Sequence, residues 1–89
     1  MNMQETYRYM PESGTMECYP RLSEELRDFY DLLEKYKRDK TLTNKHFLEK
    51  QLNDLFFAVK HLVVSGELTR YEADEIQDYI GGLFDDQLQ

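Results

Sequence analysis

The stretch that most constrains the fold of this chain is residues 44–65, NKHFLEKQLNDLFFAVKHLVVS. Its apolar residues recur at alternating spacings of four and three, which places them on one face of an α-helix. Phe56 and Val63 widen this apolar stripe, and only Lys60 and His61 are polar between Leu55 and Val64, whereas a surface helix normally keeps a broader polar face. We therefore expect a central helix that is covered on more than one side, by this chain, a second copy or a partner. The residues of the stripe are Leu48, Leu52, Leu55, Val59 and Leu62.

A first helix is predicted over residues 21–39, where the same four-three spacing recurs. Ser23 is a suitable N-cap, and Glu24 and Glu25 favour the positive end of the helix dipole. The connection to the central helix is short, which predicts that the two helices are antiparallel neighbours. The apolar positions are Leu22, Leu26, Phe29, Leu33 and Tyr36.

The central helix is predicted over residues 44–65 and has signals at both of its ends. Thr43 is expected to be its N-cap, and Leu42 is expected to contact Phe47 in a hydrophobic staple. Gly66 follows the last apolar residues, at the position where a left-handed glycine commonly ends a helix.

A third helix is predicted over residues 70–80. Thr69 and Glu72 form a T-x-x-E capping box, and Leu68 precedes it as a staple against Ala73. The inward stripe is expected to consist of Ala73, Ile76 and Ile80. Gly81 and Gly82 are expected to end the helix, and residues 83–89 to form a frayed tail.

Residues 4–19 break the helical pattern. A turn signal containing Pro11 and Gly14 separates two segments rich in β-formers, which predicts a small β-hairpin. The alternative is a flexible tail that orders only on binding. With the hairpin, the sequence predicts one mostly α domain over residues 1–89, a three-helix antiparallel bundle preceded by an N-terminal β-hairpin.

The composition of the chain limits the classes of partner it can bind and indicates its cellular compartment. Eleven Lys and Arg residues against eighteen Asp and Glu residues give a net charge of −7, which argues against direct binding to nucleic acid or an anionic membrane. The longest apolar run, residues 55–59, is far shorter than the roughly 20 residues of a membrane span. One cysteine, Cys18, excludes an intrachain disulfide, and no signal-peptide pattern opens the chain. A cytoplasmic protein is expected.

The residues available for catalysis are few. His46 and His61 are fifteen residues apart, which is roughly 22 Å along a straight helix, so they cannot share a metal ion or a proton. No metal-binding, phosphate-binding or nucleophile motif is present in the sequence. The sequence therefore predicts no enzyme activity, no catalytic residue, no metal site and no cofactor.

Two surfaces are predicted to bind other molecules. Residues 67–89 hold seven acidic residues and one basic residue, and with a tyrosine beside them they suit a protein partner that has a basic, arginine-bearing surface. The wide apolar arc of the central helix predicts a homodimer. The partner-binding set is Glu67, Tyr71, Asp74, Glu75 and Asp78, and the self-association set is Phe56, Phe57 and Val64.

These observations favour a small acidic protein of bacterial or phage type that binds a partner protein stoichiometrically and regulates or inhibits it. One alternative is a nucleic-acid mimic whose acidic face occupies the DNA or RNA channel of an enzyme. Another is a homodimeric structural component.

Overall fold

The computed structural model describes Tyr9 and residues 20–88, which contain three helices and no strand. These are α1 (Pro20–Arg38), α2 (Leu42–Val64) and α3 (Arg70–Gln87). The prediction of an all-helical core of three helices is confirmed. The predicted hairpin of residues 4–19 lies outside the described residues, apart from Tyr9.

The central helix α2 contacts both α1 and α3. The side-chain amide of Gln51 on α2 donates to the backbone carbonyl of Glu25 at 3.0 Å and to its carboxylate at 2.7 Å. This link joins the middle of α2 to the first half of α1. Lys40, in the turn between α1 and α2, donates to the carbonyl of Gln87 at 3.3 Å, which places the end of α3 beside that turn.

The core consists of the apolar faces that the periodicity predicts. All five stripe residues of α1 are buried, and Tyr30 is buried with them. On α2, Leu48, Leu55 and Val59 are fully buried, whereas Leu52 and Leu62 are only partly buried. The four buried residues of α3 are Ala73, Ile76, Ile80 and Phe84.

Helix α1 begins at Pro20, three residues before Ser23. The prediction that Ser23 is the N-cap is therefore wrong, because Ser23 lies within the helix. Proline is favoured at the first helical position, where its missing N–H group would have no partner in the helix and its fixed φ suits the helix. The last turn of α1 contains Lys35, Lys37 and Arg38, at the end of the helix dipole that favours cations.

Helix α2 begins two residues earlier than predicted. Its N-cap is Thr41, whose hydroxyl accepts from the backbone N–H of Asn44 at 3.1 Å, so the prediction of Thr43 as N-cap is wrong. The buried Asn44 side chain also donates to the carbonyl of Asp39 at 2.8 Å, which fixes the turn. Leu42 is then the first helical residue and is 83% exposed, while Phe47 is 48% exposed. Because the cap is Thr41, these two residues are not at staple positions.

The end of α2 agrees with the prediction. Gly66 has a positive φ of 85°, the left-handed conformation that glycine adopts without a Cβ penalty. Its N–H donates to the carbonyl of Val63 at 3.1 Å, and the N–H of Glu67 donates to the carbonyl of Leu62 at 2.9 Å. These two bonds form a Schellman motif, which satisfies the last carbonyls of the helix.

The start of α3 also agrees with the prediction. The hydroxyl of Thr69 accepts from the backbone N–H of Glu72 at 3.0 Å, and the carboxylate of Glu72 accepts from the backbone N–H of Thr69 at 2.9 Å. This is a complete capping box. Leu68 and Ala73, the predicted staple pair, are both buried members of the core.

The predicted end of α3 is wrong, because the helix continues through Gly81 and Gly82 to Gln87. Each glycine costs the helix about 1 kcal/mol relative to alanine. Phe84, however, lies one turn beyond Ile80 on the inward face and is buried. Burying a phenylalanine side chain contributes about 1.5 to 3 kcal/mol, which offsets the cost of the two glycines.

This continuation predicts that Gly82→Ala stabilises the protein by about 0.5 to 1 kcal/mol. A Cβ at Gly82 would meet no atom within 4 Å, and alanine restricts the unfolded chain more than glycine does. Urea unfolding measures the change. Gly66→Ala is the matched control and is expected to destabilise, because its φ is positive. If Gly82→Ala were as destabilising as Gly66→Ala, α3 would end before Gly82.

Candidate functional site

A groove with a volume of about 280 Å³ lies between the outer sides of α2 and α3. Phe56 and Val63 form part of its wall and are partly buried, while Phe57 is 70% exposed at its edge. Val64 follows Phe57 by two helical turns and is 78% exposed. The residues that line this α2–α3 groove are Phe56, Phe57, Lys60, Val63, Arg70, Ala73, Asp74 and Gln77.

Charges of both signs surround the apolar floor of the groove. Lys60 projects from α2, and Arg70 and Asp74 lie one turn apart on α3. None of the three forms an ion pair with another residue in the described part of the chain. The groove therefore combines apolar surface with charges that are available to a second molecule.

The acidic face of α3 borders this groove. We define it as Tyr71, Asp74, Glu75 and Asp78, whose spacing of three and four residues places them on one side of the helix. All four side chains are exposed, and Tyr71 is 80% exposed. An aromatic ring thus lies in water among three carboxylates.

Glu67 does not belong to this face. It lies in the turn before α3, and its carboxylate accepts from the hydroxyl of Ser65 at 2.9 Å. Glu67, a member of the predicted partner-binding set, therefore lies before α3 and not on the helix that carries Asp74. Its side chain belongs to the structure that ends α2.

Asp74 connects the two residue sets that the sequence predicts separately. It belongs to the acidic face and also lines the groove with Phe56 and Phe57. Val64 lies close to the groove without lining it. The partner-binding and self-association sets are therefore neighbours on one outer surface, which helix periodicity alone does not indicate.

Tyr9 lies in a cluster with two helical tyrosines, Tyr30 on α1 and Tyr79 on α3. The rings of Tyr9 and Tyr79 pack edge to face with their centroids 5.5 Å apart. Burial raises the pKa of the Tyr30 hydroxyl far above its ordinary range, the neighbouring Tyr79 raises it further, and a backbone hydrogen bond from Tyr9 acts in the opposite direction. The buried phenol is therefore protonated at neutral pH, which fits a structural role.

Five of the eleven Lys and Arg residues lie in or near the turn between α1 and α2. Lys40 donates to Gln87, and its ammonium group lies 5.9 Å from the centre of the Tyr36 ring. Lys37 pairs with Glu34 at 3.2 Å. Lys37 and Lys40 thus interact with other residues of the protein. The basic residues around this turn are Lys35, Lys37, Arg38, Lys40 and Lys45.

The described residues contain no group of three or more His, Cys, Asp or Glu side chains arranged to hold a metal ion. His46 and His61 are both exposed, at separate positions along α2. Cys18 lies outside the described residues. Within residues 20–88, no helix has the length and apolar content that crossing a membrane requires.

Comparison with protein-family models, with curated proteins and with solved structures finds no match to this chain.

Proposed function

We propose that this protein is a non-enzymatic binding protein that docks a basic region of a partner protein on the acidic face of α3, and regulates or inhibits that partner stoichiometrically. The observation that carries the proposal is the 80% exposure of Tyr71 among the carboxylates of Asp74, Glu75 and Asp78. Tyrosine is enriched in the residues that dominate binding energy at protein interfaces.

The chemistry of this face suits arginine and lysine. A tyrosine ring attracts a cation that lies over it, and nearby carboxylates add ion pairing and hydrogen bonding. A row of like charge also steers an oppositely charged partner during encounter. The preferred partner surface therefore presents a cation for Tyr71 and further cations for Asp74 and Asp78.

Two residues of the acidic face, Asp74 and Asp78, contribute little to the fold itself. Asp74 and Asp78 are one turn apart, where like charges destabilise a helix by about 0.2 to 0.5 kcal/mol. Neither residue pairs with a cation in the described part of the chain. Such an arrangement is better suited to binding a second molecule than to stabilising this one.

The aromatic ring on the acidic face favours a protein partner over the alternative of nucleic-acid mimicry. A mimic needs carboxylates placed as phosphates are, whereas the acidic face also carries the 80% exposed ring of Tyr71. The two functions differ in a simple test on the captured partner. Binding to a protein surface should survive added DNA, whereas a mimic should be displaced by DNA.

Tyr71→Ala is expected to weaken binding to the captured partner by about tenfold or more, since an exposed aromatic residue of this kind is a typical hot spot. The partner is obtained by capture from a lysate of the source organism, and its affinity is then measured by calorimetry with purified components. Tyr71→Phe is the matched control and should retain most of the affinity, because it keeps the ring. Equal affinity for Tyr71→Ala and wild type would refute the proposed face.

A further inference from the structure

We propose that the α2–α3 groove is a dimer contact that takes a second copy of this chain, related by a two-fold axis. This inference does not rest on the proposed function, because it concerns the groove, whose lining shares only Asp74 with the acidic face. It rests on the exposed apolar side chains at the groove and on the unpaired charges around it.

The apolar part of the contact is formed by α2. Phe57 and Val64 are 70% and 78% exposed and lie two turns apart, roughly 10 Å along the helix. Phe56 and Val63 continue this surface into the groove. Since the groove is open beside Phe57, the Phe57 ring of each copy has a concave apolar surface to enter on the other copy.

The charged residues that line the groove can pair with the same residues of a second copy. In a two-fold contact the same patch faces itself in the opposite direction, so each interaction occurs twice. Asp74 of one copy then meets Arg70 of the other copy, and neither residue forms an ion pair in the described part of its own chain. A contact of this kind forms two sets of ion pairs around an apolar centre.

This charge pattern favours a second copy over a foreign segment of one sign. A basic segment would meet Lys60 and Arg70 in the groove, and an acidic segment would meet Asp74 and the acidic face. The occupant must therefore carry charges of both signs, and a second copy of the groove does so. Although each copy has a net charge of −7, salt screens most of that repulsion beyond about 8 Å, and within the groove cations outnumber carboxylates.

The dimer has a consequence for binding. Tyr71, Glu75 and Asp78 are exposed and do not line the groove, so a dimer would present two copies of this surface. Two linked binding surfaces bind a partner with repeated basic sites more tightly than one surface does.

Sedimentation equilibrium of the wild-type protein, from about 10 to about 500 μM, tests the contact. The mass is expected to rise from the 10.8 kDa of the monomer towards twice that value. Phe57→Ser and Val64→Ser should each weaken the dimer by about tenfold or more, with unchanged helical circular dichroism because both side chains are exposed. Leu42→Ser is the matched control, since Leu42 is equally exposed but distant from the groove, and should dimerise as the wild type does.

A charge exchange tests the pairing. Arg70→Asp and Asp74→Arg should each weaken the dimer, and the two together should restore it to within about threefold of wild type, because each charge again meets its opposite across the axis. A wild-type protein that stays at the monomer mass throughout overturns the proposal, and the groove would then be open to a foreign partner. A dimer that Phe57→Ser leaves intact also overturns it. Loss of the dimer in Phe57→Ser with partner binding retained separates this inference from the proposed function.

Discussion

Leu55→Ala and Leu33→Ala are each expected to lower the free energy of unfolding by about 2 to 5 kcal/mol, the usual range for a buried leucine. Both side chains are fully buried, on α2 and α1 respectively, and removing three carbon atoms leaves a cavity between the helices. A protein of this size has roughly 5 to 13 kcal/mol of stability in total, so either change removes a large part of it. Urea unfolding followed by circular dichroism measures the loss.

Leu42→Ala is the control for these two substitutions. Leu42 is also a helical leucine, but its side chain is exposed, so the change should stay within about 0.5 kcal/mol of wild type. If Leu33→Ala and Leu55→Ala were as mild as Leu42→Ala, the packing of α1 on α2 would be wrong.

The helices and most of their buried faces could be predicted from the sequence because both depend on local periodicity. The four-three spacing of Leu22, Leu26 and Phe29 places these side chains on one side of any helix, and burial follows once a second apolar face is available. The capping box at Thr69 and the left-handed Gly66 were predictable for the same reason, since each involves only neighbouring residues.

The errors at the helix ends have a common cause in tertiary contacts. Thr41 and Thr43 are equally good caps in isolation, and the choice of Thr41 accompanies the Asn44 bond to Asp39 across the turn. Gly82 weakens a helix locally, but the burial of Phe84 keeps α3 intact beyond it. Local signals give the propensity to stop, whereas the packing decides where the helix ends.

The candidate site was predictable only in parts. Charge and spacing indicate a negative surface on α3, and the apolar arc of α2 indicates a second surface. Their meeting at Asp74 depends on how α3 lies across α2, which no single-helix pattern contains. The burial of Tyr30 likewise depends on tertiary packing. Tyr30 lies beside the predicted stripe of α1, and Tyr9 and Tyr79 are its neighbours in the folded protein.

Replacing Asp74, Glu75 and Asp78 together by lysine is expected to abolish partner binding. The change converts three negative charges into three positive ones. The variant surface would therefore repel a basic partner that the wild-type surface attracts. Association should slow by about tenfold to a thousandfold, which stopped-flow or surface-plasmon measurements resolve. The helical content should persist, because all three side chains are exposed and lysine is a good helix former.

The matched control replaces Glu24, Asp28 and Asp31 on α1 by lysine. These side chains are also exposed, and the replacement changes the net charge by the same amount. If only total charge mattered, both triple variants would lose binding equally. If the acidic face is the docking surface, the α1 variant should keep most of its association rate, since distant exposed charges are screened by salt. Binding that survives the α3 reversal would exclude this face and would direct attention to the tyrosines near the N-terminus.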